Sequence, residues 1–400
     1  MTEISDFGLI VLIVAAGVSL ALLGRAMTER LAVPSAALFL IAAAVVSDLF
    51  SGINDTVSFV TVERIGVVAL IVILFDGGLD IGWRHFRSAA VPILSLGVLG
   101  TFASAGLIAL AAHYLLGLSW ITAGLLGAAL APTDPAVTFS VLGGREIGGR
   151  TGTILKGESG ANDPVGIALM VGMIELATSD GGSFWTVVEE FAVEMIGGAA
   201  VGAVGAALLL PLMRRVPLPS PALYPLRVLA AAGVIYGVAT LVHGSGFLAV
   251  FVAGILLGDP PLPHRSEVDS FLSSLGSLAE IAMFVALGIT IDVTELFDSD
   301  AWYEGLLLAA LLAFVIRPVV VGVLLLPVRL ARGERLFVMW SGLKGAVPIL
   351  LAALAVIGEV GDAIEIYGIV FVVVLFSVLV QGTFVPAVAR RLRIPMEPQS

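Results

Sequence analysis

The chain has 400 residues, 59% hydrophobic and 13% charged, with a net charge of −11. Soluble domains run near half apolar and a quarter charged. A soluble all-helical enzyme, which needs polar helix faces, is therefore excluded. Cysteine is absent from the sequence, so disulfides contribute nothing and redox chemistry is disfavoured.

Thirteen apolar segments follow one another, at 8–25, 33–50, 62–79, 88–115, 119–141, 153–178, 186–212, 223–242, 246–258, 273–292, 302–326, 335–357 and 364–389. Membrane helices need about 17–25 such residues, and outer-membrane strands would alternate instead. The first segment is preceded by Glu3 and Asp6 and followed by Arg25 and Arg30. That order predicts a retained first span with its N-terminus outside, not a cleaved signal. Loop charges support the count. Seventeen of the 20 basic residues fall after odd-numbered spans, while the opposite loops, such as "DVTELFDSDAWYE" and "GEVGDAIE", are acidic. The basic side is cytoplasmic by the positive-inside rule. The expected fold is an all-α membrane protein of 13 transmembrane helices in the cell membrane, N-terminus outside and C-terminus inside. The tail 394–400 is too short for a soluble domain. The glycine-bounded "GGREIGGR" after span 5 predicts a turn and lacks the preceding strand of a dinucleotide site.

Spans 5 and 12 are interrupted, by "APTDPA" and "GLKGAVP". Each is the middle member of a three-span group, 4–6 and 11–13. The groups are offset by seven spans and so run in opposite senses, which predicts two inverted repeats. Paired interruptions in matching places point to a secondary transporter's site. The freed peptide groups are tolerable only where they line a cavity or bind something.

The interrupted region holds Thr133, Asp134, Glu158, Ser159, Asn162 and Asp163. Ser159 and Asp163 are four apart and share a helix face, as do Glu158 and Asn162. At 1.5 Å per residue, Asp163 lies about 15 Å from the cytoplasmic end of span 6 and Asp134 about 10–15 Å from that of span 5. The two aspartates can meet. Burial and a neighbouring like charge both favour the protonated form of a carboxylic acid. Such a group can hold a proton or an alkali cation in turn, which couples the two fluxes. Either acid alone could be a satisfied ion-pair member; two at one depth beside a broken helix favour function.

Arg64 sits at the end of span 3 and can snorkel. Arg317 and Lys344 lie inside spans 11 and 12 and need partners. Lys344, beside Gly345, fits a pair with Glu158, leaving Arg317 to compensate the opened helix ends. Asp76, in "ILFDGGLDI", either lines an ion funnel or marks the interface. The four histidines fit interfacial positions. Tyr236, Ser377 and Gln381 read as ordinary helix-packing groups.

"TDP", "GESGANDP", "FVIRP" and "GLKGAVP", in this order, resemble the monovalent cation:proton antiporters, closest to the prokaryotic sodium/proton exchangers with Asn-Asp on span 6. The resemblance covers nearly the whole chain. It implies a homodimer in the lipid bilayer that exchanges Na⁺, K⁺ or Li⁺ for H⁺, with no cofactor and no nucleic-acid partner. It implies a core of residues 88–178 (spans 4–6) and 301–393 (spans 11–13) moving against residues 1–87 (spans 1–3) and 179–300 (spans 7–10). It implies ligation by Asp134, Asp163, Ser159 and the Thr133 carbonyl, with Asn162, Glu158, Arg317 and Lys344 in support and Asp76 at the mouth. Asn162 takes the place of a second aspartate in the electrogenic branch, which implies one-for-one exchange. Lys344 stands where the family often has arginine, and Asp76 where it often has glutamate. A channel, an intramembrane aspartyl protease and a sodium-coupled solute symporter are the competing classes. Titratable acids beside paired broken helices fit alternation better than a steady pore, and no Gly-x-Gly-Asp protease signature is present.

Overall fold

The computed structural model describes Ser19 and residues 34–49, 57–142, 145–179 and 184–398. The predicted first span, 8–25, with Arg25 and Arg30, lies outside the described residues. The other twelve segments each coincide with helix. In chain order these are α1 (Ser35–Leu49), α2 (Phe59–Ser88), α3 (Ala90–Leu116), α4 (Trp120–Leu130), α5 (Pro135–Ser140), α6 (Gly149–Thr178), α7 (Phe184–Arg215) and α8 (Leu223–Leu241). There follow α9 (Gly246–Gly258), α10 (Arg265–Ile289), α11 (Val293–Asp298), α12 (Ala301–Leu324), α13 (Arg332–Trp340), α14 (Ala346–Ile357) and α15 (Ala363–Leu392).

Among the described residues, seven helices are long and apolar enough to cross a membrane. α6 is as long as α2 but carries Lys156, Glu158 and Asp163 within it. Large apolar side chains such as Leu241, Val91, Ile196 and Leu208 face outward, while Glu158, Asn162, Asp163, Arg317 and Lys344 are buried. Polar inside and apolar outside is the arrangement of a multi-pass membrane protein, whose solvent is lipid.

Short polar caps start several helices, because the first N–H groups of a helix have no partner within it. Ser58, Ser119, Ser245 and Asp292 accept from Thr61, Thr122, Leu248 and Glu295 at 3.2, 3.1, 3.3 and 2.8 Å. α9 lies along α2 at a seam of glycines. A β-carbon at Gly78 would meet the Phe251 carbonyl at 2.6 Å, and one at Gly258 would meet the Gly82 α-carbon at 2.6 Å. Small residues let the backbones touch, the usual device for helix packing in lipid. α2 breaks at Gly82, whose φ of 65° suits glycine. Asp259 accepts there from the Arg84 N–H at 2.7 Å.

Three features depart from the sequence reading. Span 10 starts earlier, at Arg265, because a polar first turn, "RSEVDS", continues the helix beyond its apolar stretch. α11 fills a predicted acidic loop, started by the Asp292 cap. "REI" in the predicted turn is a strand, β1 (Arg145–Ile147), paired antiparallel with β2 (Met396–Pro398) from the tail. Local sequence gave no sign of a partner 250 residues away.

Candidate cation site at the crossing of two broken helices

α4 stops at Leu130, and the chain runs non-helically to Asp134 before α5 begins at Pro135. Proline at the first helical position loses no hydrogen bond, since that N–H is unpaired in any helix. Asp134 caps α5, accepting from the Ala136 N–H at 2.8 Å. Likewise α13 stops at Trp340 and α14 begins at Ala346. The two interruptions meet: the Asp134 N–H donates to the Leu343 carbonyl at 2.8 Å. At Gly345 a β-carbon would run into the Asp134 carboxylate, so only glycine permits this approach.

Each interruption frees backbone groups that must find partners in a dry interior. The Lys344 ammonium donates to the Ala131 and Pro132 carbonyls at 3.0 and 2.8 Å. These lie at the C-terminal end of α4, where carbonyls are unpaired and the helix dipole favours a cation. The Lys344 N–H donates to the Ser377 hydroxyl at 2.8 Å, and Gln381 donates to the Trp340 carbonyl at 2.6 Å. Ser377 and Gln381 come from a π-helical turn in α15, Ser377–Gly382.

Arg317 pairs with Glu158. Its guanidinium makes a two-point contact, Nη1 to Oε1 and Nη2 to Oε2, the latter at 3.0 Å. Nη2 also donates to the Val338 carbonyl at 3.2 Å, near the end of α13. This corrects the expected pairing of Lys344 with Glu158. A planar fork matches a carboxylate, whereas a compact ammonium suits two separate carbonyls. Ser377 and Gln381, read as ordinary packing groups, are also corrected: they satisfy the broken helix. The available signal was their four-residue spacing in an otherwise apolar span.

Asp134, Ser159 and Asp163 line one cavity of about 220 Å³, together with Asp76 and Asp80 of α2 and Glu280 of α10. Lys156, also on its wall, pairs with Asp80 at 3.0 Å. Asp163 is 5% exposed, and its Oδ1 makes no hydrogen bond among the described residues. Thr133 and Asn162 stand behind this wall, paired with each other. The Asn162 amide donates to the Thr133 hydroxyl at 2.8 Å, and the Thr133 N–H donates to Asn162 Oδ1 at 3.3 Å. The structure thus brings Asp134, Asp163, Ser159 and Asp76 to one space. Asp80 and Glu280 were not anticipated, because near the ends of amphipathic segments they resemble ordinary interfacial charges.

The family model described as "sodium/hydrogen exchanger, transmembrane" matches residues 4–391. The chain belongs to the transmembrane sodium/hydrogen exchanger family. Within it, the chain is 35% identical over 349 residues to the K⁺/H⁺ antiporter NhaP of Alkalimonas amylolytica, covering 87% of this chain and 60% of that protein. It is 31% identical over 380 residues to the K⁺/H⁺ antiporter NhaP2 of Shewanella oneidensis, covering 93% and 65%. The chain therefore spans less than two thirds of the length of these curated relatives. The solved structure of the sodium proton antiporter MjNhaP1 from Methanocaldococcus jannaschii at pH 8 superposes with a TM-score of 0.80 at 23% identity, covering 96% of this chain and 100% of that one. The exchanger-family chain shares that fold.

Proposed function

We propose that this chain exchanges a monovalent cation for a proton across the cell membrane by alternating access. Asp134, Asp163, Ser159 and the Thr133 carbonyl hold the cargo, and no cofactor takes part. The observation that carries this reading is the state of the buried charges. Glu158 and Arg317 are occupied with each other, and Lys344 with two carbonyls. Asp163 alone among these groups keeps a buried oxygen without a partner, on the wall of the cavity that Asp134 shares. An unpaired carboxylate at that depth is costly unless it takes a proton or a metal ion. It cannot hold both at once, so the cargoes exclude each other.

The reading includes 13 membrane spans, the first at 8–25, with the N-terminus outside and the basic end cytoplasmic. It includes two inverted three-span repeats whose interrupted members cross at the site. Spans 4–6 and 11–13 form the moving core, with spans 1–3 and 7–10 on the dimer side of a homodimer. Asn162 is neutral and holds Thr133 in place, which supports one-for-one, electroneutral exchange. Sodium is the proposed cation. Potassium is the second reading, favoured by the names of the two relatives.

The test is purified protein in liposomes, with dye-reported proton movement on adding Na⁺, K⁺ or Li⁺, with and without a clamped voltage. Asp163→Asn abolishes exchange in a protein that remains folded. Full cation-driven proton movement by that variant overturns the assignment.

A further inference from the structure

A second cavity, of about 630 Å³, lies at the acidic end of the molecule, between the start of α2, the end of α10, α11 and the start of α15. Its wall carries Asp292, Glu295 and Glu365. The same two helices line both cavities. On α10, Glu280 and Met283 face the inner one, and Thr290, the residue just past its end, the outer. On α2, Leu70 faces the inner one and Phe59 the outer. Met283 and Thr290 are seven residues apart, about 10 Å along a helix, so only a thin partition separates the two spaces. Leu287 belongs to that partition and is 1% exposed. So does Leu350 of α14, whose side chain fills the space over Gly66 of α2.

Tyr367 stands at the outer edge of this partition. It is 2% exposed, and its ring meets Phe59 edge to face, with centroids 5.2 Å apart at 85°. Its hydroxyl lies 2.5 Å from the Thr290 hydroxyl and donates to the Leu287 carbonyl at 3.2 Å. The Thr290 hydroxyl lies 3.0 Å from the same carbonyl, so its single proton goes either there or to the Tyr367 oxygen. One side chain of α15 thus ties that helix to the C-terminal end of α10, where carbonyls have no partner in the helix, and seals it against α2.

We infer that the outer cavity is the second aqueous end of the cation path, and that Tyr367, bonded to Thr290 and Leu287, is the latch that holds it shut. The inference rests on the proposed exchange by alternating access, which needs the outer side to open in turn. The acidic wall then faces the outer side, where a cation enters or leaves the path. Opening separates α15 from α10 and breaks the hydroxyl contacts, while the Phe59 packing opposes entry of water when the path is closed. A purely structural role, as a cap on α10, predicts a change in stability only.

The two roles separate in a labelling experiment, for which the absence of native cysteine is convenient. Leu350→Cys places one thiol in the partition. A membrane-impermeant maleimide is added to the outside of sealed right-side-out vesicles. Tyr367→Phe, which keeps the ring and its packing, labels about five- to ten-fold faster than its Tyr367 parent, the worth of one or two neutral hydrogen bonds. Thr290→Val moves the rate in the same direction. Unchanged labelling in both variants, each monodisperse after purification, overturns the latch. The same preparations are assayed for cation-driven proton flux. Loss of flux from the unmodified protein would refute the exchange reading, yet the labelling ratio would still decide the latch.

Discussion

Arg317→Ala is the sharpest test of how the buried charges are arranged. Glu158 is 2% exposed, and its carboxylate is held by the two-point contact of Arg317. Removing the guanidinium leaves a buried charge without its cation, which costs about 3–5 kcal/mol. The freed Val338 carbonyl adds to the loss. Arg317→Lys keeps the charge but gives up one arm of the fork, about 1.5–3 kcal/mol for one hydrogen bond to a charged group. Glu158→Gln in the Arg317→Ala background removes the orphaned charge, so the double variant is more stable than the single one, with a coupling of about 2–3 kcal/mol. The assay is equilibrium unfolding in mixed micelles with rising SDS, followed by tryptophan fluorescence. A parallel cycle between Lys344→Met and Glu158→Gln gives a smaller coupling, because Lys344 bonds carbonyls and not that acid. The larger coupling in the Lys344 cycle, or none in the Arg317 cycle, refutes the assignment.

Gly345→Ala drives a methyl group into the Asp134 carboxylate. The expected outcome is a folded protein whose cation-driven proton flux falls by up to about a hundredfold, the scale of a 1 Å misplacement in a reactive site; size-exclusion profile and liposome flux check it together. If proton and cation compete for one carboxylate site, the apparent cation KM rises about tenfold for each pH unit below the site's titration, while the maximal rate holds. Flux measured across a grid of pH and Na⁺ concentration checks this. A cation KM independent of pH would mean separate sites.

The helical fold was legible because lipid enforces a simple grammar: an apolar run long enough to span, then a loop whose charge reports its side. That is why twelve predicted segments coincide with helices. Segment ends were less legible, since a helix does not stop where its apolar stretch stops. Arg265–Ile289 shows this, its first turn being polar. The β1–β2 ribbon was invisible because "REI" gains strand geometry only from residues 396–398. At the site, depth counting placed Asp134 and Asp163 together, because the break lies on the far side of Asp134 and the helix α5 resumes at Pro135, so a rise of 1.5 Å per residue applies there. It could not choose partners for the cations, since sequence gives depth and not direction around the helix.

Partner choice follows from the shape of each charged group once the broken helices are in place. The carbonyls at the end of α4 point at one spot, and a small ammonium reaches two of them; a planar guanidinium there would leave donors unmatched. Glu158 presents two coplanar oxygens, which the fork of Arg317 covers and a single ammonium could not. Exchanging the two basic residues would therefore leave unpaired groups at both places, in a medium with no water to repair them. The arrangement also sets the cavity carboxylates apart from the paired charges. Among the described residues that line the cavity, the carboxylate that retains a buried, unmatched oxygen is Asp163. On the proposed exchange, a cation or proton arriving through the cavity meets that group and displaces no internal ion pair in doing so.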